Sequence, residues 1–259
     1  MELSKQQDDA ILRVKEWYEQ SEEQVFRLFG YAGSGKTTLA KHFAESIDSQ
    51  TLFAAFTGKA AHVLRTKGCD ASTIHGLIYR LLKEEGKKPI FGLNREDSDL
   101  LWADLLILDE VSMVNEEIGQ DLLSYGKKIL VLGDPAQLPP ISGTGFFTEA
   151  EPDFLLTEIH RQAQDNPIIK LATSIRAGRM PLAGKYGESE VQFGMGRDLV
   201  MSASILLVGR NSTRKESNFR ARAIKGFQEA LPQVGDKLVC LRNNRQEGLM
   251  NGTTWQVTG

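Results

Sequence analysis

Between residues 30 and 38 the chain reads Gly30-Tyr31-Ala32-Gly33-Ser34-Gly35-Lys36-Thr37-Thr38, an order of glycines, lysine and threonines suited to wrapping phosphate. The glycines let consecutive backbone N–H groups turn toward the β- and γ-phosphates of a nucleoside triphosphate. Lys36 brings a mobile positive charge and Thr37 a hydroxyl for Mg2+. An apolar-rich stretch at 25–29 precedes the loop and a helical pattern follows it, so the positive end of that helix would face the same anion. A glycine turn beside a surface lysine would look similar in isolation, and the remaining chemical residues decide between the two readings.

The strand-like run LLILDE at 105–110 ends in Asp109 and Glu110. At the carboxyl edge of a parallel sheet, Asp109 can hold Mg2+ through water, and Glu110 can orient and partly deprotonate a water that attacks the γ-phosphate. The alternative is a pair of carboxylates that only caps a helix. A second run, KKILVLGD at 127–134, leads into PAQLPP and brings Asp134 and Gln137 to the same edge, where Pro135, Pro139 and Pro140 restrict the loop. Gln137 can donate to the γ-phosphate or its attacking water and so report whether the phosphate is present, or it can simply stabilise its turn. Arg161, in TEIHRQ at 157–162, could bring a guanidinium fork to the transferring phosphoryl group from a second unit; taken singly, it reads as a surface ion-pair residue.

These residues need a scaffold that delivers them to one edge. A helical pattern at 8–20 leads into the first apolar run, and further short apolar runs follow at 51–56, 105–108 and 129–132, each bounded by polar or glycine-rich segments. Buried parallel strands covered by helices have this signature, so the expected class is α/β. The segment 83–99 is charged and broken by glycine and proline, which predicts a small insertion or a solvated loop. From residue 152 the α/β pattern restarts, with an apolar piece at 154–156, a helix at 168–176 and a strand at 203–211. Near residue 234 it changes to short β-like runs separated by glycine and asparagine.

Composition narrows the function classes. With 259 residues, 41% of them apolar, the chain can bury more than one core. No stretch approaches the roughly 20 apolar residues of a membrane span, and the first ten residues have no secretion signal, so no membrane partner and a cytoplasmic location are expected. Cys69 and Cys240 match no metal spacing, and the four histidines form no ligand cluster. A net charge of −3 argues against coating DNA through bulk charge while leaving room for a local cleft that holds a few phosphates.

Taken in order, LSKQQ near the start, GYAGSGKTT, AFTGKAA at 55–61, STIHGLIY at 72–79, LDEVSMV at 108–114, GDPAQLPP at 133–140 and LTEIHRQ at 156–162 resemble the motif series of superfamily 1B DNA helicases of the RecD and Dda type. The resemblance implies a RecA-like motor domain at 1–151 with a small insertion near 83–99. It also implies part of a second RecA-like domain at 152–233 and the start of an SH3-like β insertion at 234–259. It implies ATP and Mg2+ as cofactors, with Gln7 reading adenine and Gly30, Gly33, Ser34, Gly35, Lys36, Thr37 and Thr38 binding the phosphates. Thr37 and Asp109 would serve the metal, Glu110 the water, Gln137 the γ-phosphate, and Arg161 would be an arginine finger.

The same resemblance implies single-stranded DNA as a partner, contacted by Phe56, Thr57, Lys59, Thr73 and His75, with movement from 5′ to 3′. An aromatic ring can stack on a base while hydroxyl, ammonium and imidazole groups meet the backbone, although Phe56 and His75 singly would read as core residues. Pro89, Ile90 and Phe91 would tip a strand-separating pin, and replication or recombination proteins would be further partners. The later DNA-coupling and second arginine motifs of the resembled family do not occur by residue 259, so the chain is expected to be incomplete for unwinding. Competing expectations are a degenerate ATPase or regulatory DNA-binding module, and a phosphate-loop kinase, since the loop itself does not choose the acceptor.

Overall fold

The computed structural model describes residues 3–85, 88–140, 143–158, 166–194, 196–227, 229–241, 247, 249 and 251–258, with side chains omitted also at 84, 85, 88 and 89. Two compact units emerge, Met1–Ile169 and Lys170–Gly259.

The first unit is built on strands β1 (Val25–Gly30), β2 (Thr51–Ala55), β3 (Ala71–Thr73), β6 (Leu105–Asp109), β7 (Lys128–Gly133) and β8 (Phe154–Leu156). They lie parallel in the order β3-β2-β6-β7-β1-β8, a RecA-like core. The continuous apolar runs of β6 and β7 follow from burial on both faces. Leu105, Ile107, Leu130 and Leu132 pack into one layer with Val14, Leu39 and Phe43, while Leu106, Leu108, Ile129 and Val131 pack into the other with Ile74, Ile78 and Leu122. A period of two with both phases apolar leaves no polar position to mark a solvent face.

Helices α1 (Lys5–Gln20), α2 (Lys36–Ser46) and α3 (Gly58–Thr66) contribute to the first layer, and α4 (Ile74–Ile78) and α5 (Glu116–Leu123) to the second. Helix α1 starts earlier than the apolar pattern at 8–20 indicates because Ser4 and Gln7 form a reciprocal capping box, Gln7 N donating to Ser4 Oγ and Ser4 N to Gln7 Oε1. Between α4 and β6, strands β4 (Tyr79–Glu85) and β5 (Lys88–Leu93) pair antiparallel with a register shift between Leu81 and Lys83. The expected insertion is thus a two-stranded ribbon that begins four residues before 83, and Phe91 on it is exposed.

Two expectations change. Residues 154–156, placed at the opening of a second domain, instead form the sixth strand of the first sheet, with Leu28 opposite Phe154 and Gly30 opposite Leu156. A three-residue run is too short to reveal in sequence which sheet it joins. The strand predicted at 203–211 carries no partner among the described residues, and Ile205 and Leu207 are exposed, so an apolar run without a ladder neighbour remains irregular.

Helix α6 (Pro167–Arg176) crosses into the second unit, which holds the antiparallel pair β9 (Gly184–Tyr186) and β10 (Ser189–Val191), helices α7 (Arg197–Ser202) and α8 (Asn211–Ile224), and the antiparallel pair β11 (Lys237–Val239) and β12 (Thr254–Gln256). In this unit Arg222 on α8 meets Asp236 at 3.0 Å and donates to the carbonyls of Glu229 and Leu231. Among the described residues no helix is long and apolar enough to cross a membrane.

Candidate active site

The loop between β1 and α2 takes its shape from its glycines. Gly33 and Gly35 both sit at φ 82°, a left-handed conformation that strains a side chain, and Gly35 is also the residue from which α2 departs. Gly30 answers to space instead: a Cβ there would fall 2.7 Å from Ser34 Oγ and 2.9 Å from Leu156 O. The N-terminal turn of α2 therefore opens onto a backbone cradle, and Lys36 Nζ lies across it, donating to Gly30 O at 2.6 Å and Tyr31 O at 3.2 Å. Ser34 is buried and its Oγ has no hydrogen-bond partner among the described residues. A buried polar atom left unpaired inside such a cradle fits a loop built to close on an added polar ligand.

The carboxylates of β6 reach this loop. Thr37 Oγ1 donates to Asp109 Oδ2 at 2.8 Å, which joins the two side chains expected to serve Mg2+. Hydroxyl and carboxylate oxygens suit that ion, and among the described residues no cluster of three His, Cys, Asp or Glu side chains could hold a metal. A site with so few protein ligands fits Mg2+, which usually keeps waters and takes phosphate oxygens. Glu110 follows at φ 57° and ψ 48°, the one non-glycine residue with positive φ among the described residues. Holding a side chain there costs about 1–2 kcal/mol, and strain of this kind gathers at functional positions. Its carboxylate is exposed at the end of the strand.

Gln137 is oriented from below. Asp134 is buried, accepts Ala136 N at Oδ1 and through its carbonyl accepts Gln137 N, so the turn after β7 is fixed from within. Ser112 Oγ then donates to Gln137 Oε1 at 3.0 Å, which leaves the Nε2 hydrogens as the groups Gln137 can offer a phosphate. Ser112 went unnoticed in the sequence although it lies in LDEVSMV, because a serine two residues past a carboxylate pair carries no signal of its own.

A cleft of about 780 Å3 runs from these residues to the segment after β2. Its walls include Thr37, Asp109, Glu110 and Gln137 together with Phe56, Thr57 and Lys59. Thr57 and Thr73 also cap helices, accepting Ala60 N and Gly76 N at their Oγ1 atoms. His75 packs edge-on against Phe56 at 6.0 Å between ring centroids and lies 5.3 Å from Tyr79. Desolvation in this stack pushes His75 below the ordinary imidazole range, with Glu117 opposing. Gln7 is only 3% exposed, and its Nε2 donates to Ser34 O at 3.2 Å, which places the amide expected to read adenine beside the phosphate loop. Arg161 lies outside the described residues.

Residues 2–193 match the family model described as AAA domain. The ATP-dependent RecD2 DNA helicase of Deinococcus radiodurans is 36% identical over 167 residues, a match covering 61% of this chain and 22% of that protein. The ATP-dependent DNA helicase dda of Enterobacteria phage T4 is 32% identical over 166 residues, covering 58% of this chain and 37% of that protein. The chain thus spans well under half the length of either relative. Among solved structures, Bacteroides Pif1 bound to single-stranded DNA superposes with a TM-score of 0.61 over 100% of this chain and 70% of that one, and at 21% identity the likeness is one of fold.

Proposed function

Because the chain belongs to the AAA domain family, whose model covers 2–193 of its 259 residues, we propose that it is the motor portion of an ATP-dependent DNA helicase that moves 5′ to 3′ on single-stranded DNA. The observation that carries this reading is the shared cleft: Glu110 and Gln137, suited to hydrolysis, line the same cavity as Phe56, Thr57 and Lys59, suited to a nucleic acid strand. RecD2 and dda, both described as ATP-dependent DNA helicases, support the same substrate class.

In this mechanism the N–H groups of 30–38 and Lys36 bind the triphosphate, with Gly30, Gly33, Ser34, Gly35, Thr37 and Thr38 forming the cradle. When bound, Mg2+ supplies charge neutralisation at the phosphate oxygens, and Thr37 and Asp109 are the residues that would hold it. Glu110 orients the attacking water and accepts its proton. Gln137 donates from Nε2 to the γ-phosphate, and loss of that phosphate frees the turn after β7, which shares the cleft with the DNA segment. Arg161 neutralises charge on the transferring group. Thr73 and His75 extend the strand contact begun at Phe56.

In the same reading the β4–β5 ribbon is a strand-separating pin with the exposed Phe91 midway along β5, the second unit contributes to a second RecA-like domain, and β11 and β12 begin an SH3-like insertion. Hydrolysis measured with and without single-stranded DNA, and displacement of 5′-tailed against 3′-tailed duplexes, test the proposal. DNA-stimulated hydrolysis is expected, with little duplex displacement by residues 1–259 and a preference for the 5′ tail in whatever displacement occurs. Transfer of phosphate to an acceptor other than water would establish a kinase instead, and displacement of only 3′-tailed duplexes would overturn the polarity.

A further inference from the structure

The first turn of α1 carries two neighbouring glutamines whose amides bind different parts of the unit. Gln7 holds the phosphate loop through Ser34 O. Gln6 holds the chain that leaves β8: its Oε1 accepts Thr157 N at 3.0 Å and Glu158 N at 2.9 Å, while its Nε2 donates to Thr157 Oγ1 at 3.0 Å and to Leu155 O at 3.4 Å. Ser4, the cap of the same turn, donates from Oγ to Glu158 Oε2 at 2.7 Å and from its backbone N to Gln7 Oε1 at 3.0 Å. Three segments separated by up to 154 positions therefore meet on one helical turn.

The chemistry at Gln6 is specific. One carboxamide oxygen receives two successive backbone N–H groups just where the β8 ladder ends, and the NH2 side faces a hydroxyl and a carbonyl, so the amide has one workable orientation. A lysine or leucine of similar size offers neither acceptor. Surface packing does not demand this arrangement, because β8 has its own tie to the loop: Gly30 pairs with Leu156, and Tyr31 N donates to Leu156 O at 3.2 Å.

We propose that Gln6 is a positioning residue that couples occupancy of the phosphate loop to the course of the chain after β8. The inference rests on the reading of 30–38 as a nucleotide site. Phosphate drawn into the cradle loads Ser34 and, through Gln7, the first turn of α1; that turn moves as a unit, so the grip of Gln6 on Thr157 and Glu158 responds. Linkage makes the effect reciprocal: a nucleotide that tightens the grip by some factor loses affinity, by no more than that factor, when the grip is removed.

Amide hydrogen exchange at Thr157 and Glu158, read in the 259-residue chain with and without Mg2+ and a non-hydrolysable ATP analogue, tests this alongside calorimetric affinity. In the wild type the analogue slows exchange at both amides by roughly fivefold or more. Gln6→Ala exchanges fast in both states and binds the analogue more weakly, within the limit set by the wild-type protection. Gln6→Glu keeps an acceptor oxygen for both N–H groups and retains most of the response. Gln6→Asn, one methylene too short, carries the test should the alanine variant not fold.

Wild-type exchange that ignores the analogue despite tight binding overturns the coupling and leaves the nucleotide site standing. A nucleotide response that persists in Gln6→Ala overturns it equally and reduces Gln6 to a structural pin. Failure of the wild type to bind the analogue removes both readings together.

Discussion

Thr37 and Asp109, 72 positions apart in sequence, share a hydrogen bond of 2.8 Å between their side chains. In the sheet β7 lies between β6, which ends in Asp109, and β1, whose following loop leads to Thr37 on α2, so the contact exists only because parallel strands release their following loops at one common edge. It brings a hydroxyl and a carboxylate to one point, and in the proposed function that pair would hold Mg2+.

The charge of Asp109 is what the metal reading requires. Asp109→Asn keeps a carbonyl oxygen to accept from Thr37 but removes the negative charge. ATP-analogue affinity measured with Mg2+ and then with chelator should show a clear gain from the metal in the wild type and a gain smaller by about tenfold or more in the variant. An undiminished gain in Asp109→Asn would take the metal away from this residue.

Glu110 separates stability from chemistry. Its left-handed backbone costs about 1–2 kcal/mol, of which glycine recovers the steric part while adding chain entropy worth about 0.5–1 kcal/mol. Glu110→Gly should therefore match or exceed the wild type in unfolding free energy, by about 0.5 kcal/mol, while losing turnover. Glu110→Gln should leave stability and nucleotide affinity unchanged and also lose turnover. A glycine variant clearly less stable than the glutamine variant would refute the backbone-strain account, and a glutamine variant clearly less stable than the wild type would mean that the carboxylate serves the fold.

The parts of this site that chemistry labels were readable from the chain. Lys36, Thr37, Asp109 and Gln137 each follow an apolar run, and four runs with both faces buried imply parallel strands that deliver them to one edge. Ser112 and Gln6 were not readable, because each works by aiming another group, and aim is set by tertiary distance. Ser4 had a local signal in its S-x-x-Q spacing, which marks a capping box, whereas the contact of Gln6 with Thr157 spans 151 positions. The misjudged stretch at 203–211 shows the limit from the other side: apolarity marks a segment fit for a strand, and pairing depends on a neighbour that its sequence does not contain.

Gly30 is held to glycine by space, which a methyl group would test. A Cβ at this position meets Leu156 O at 2.9 Å and Leu156 Cβ at 2.8 Å, and the carbonyl belongs to a strand that cannot shift cheaply. Gly30→Ala should lose about 1–3 kcal/mol in chemical denaturation and weaken nucleotide binding. Gly58, at the start of α3, has nothing within 4 Å of its would-be Cβ, so Gly58→Ala is the matched control and should stay within about 0.5 kcal/mol of the wild type. Equal losses in the two variants would refute the steric account.

His75 gives the fold a pH dependence with a definite sign. Desolvation in the stack with Phe56 and Tyr79 lowers its pKa below the ordinary 6.5, so between the folded and unfolded values the unfolded chain binds more proton. The stabilising contribution is therefore complete above 6.5 and is lost as pH falls through the lower folded value. Urea midpoints of the wild type and His75→Gln, compared across this range, should diverge above it and converge on acidification. If His75 serves the proposed strand contact, the neutral ring would meet DNA by stacking or hydrogen bonding, and protonation would add a cation that should tighten single-strand binding and steepen its salt dependence. An NMR titration of His75 decides the premise directly. A value at or above 6.5 would contradict it, and a salt slope unchanged on acidification would remove His75 from the strand contact while leaving its role in stability intact.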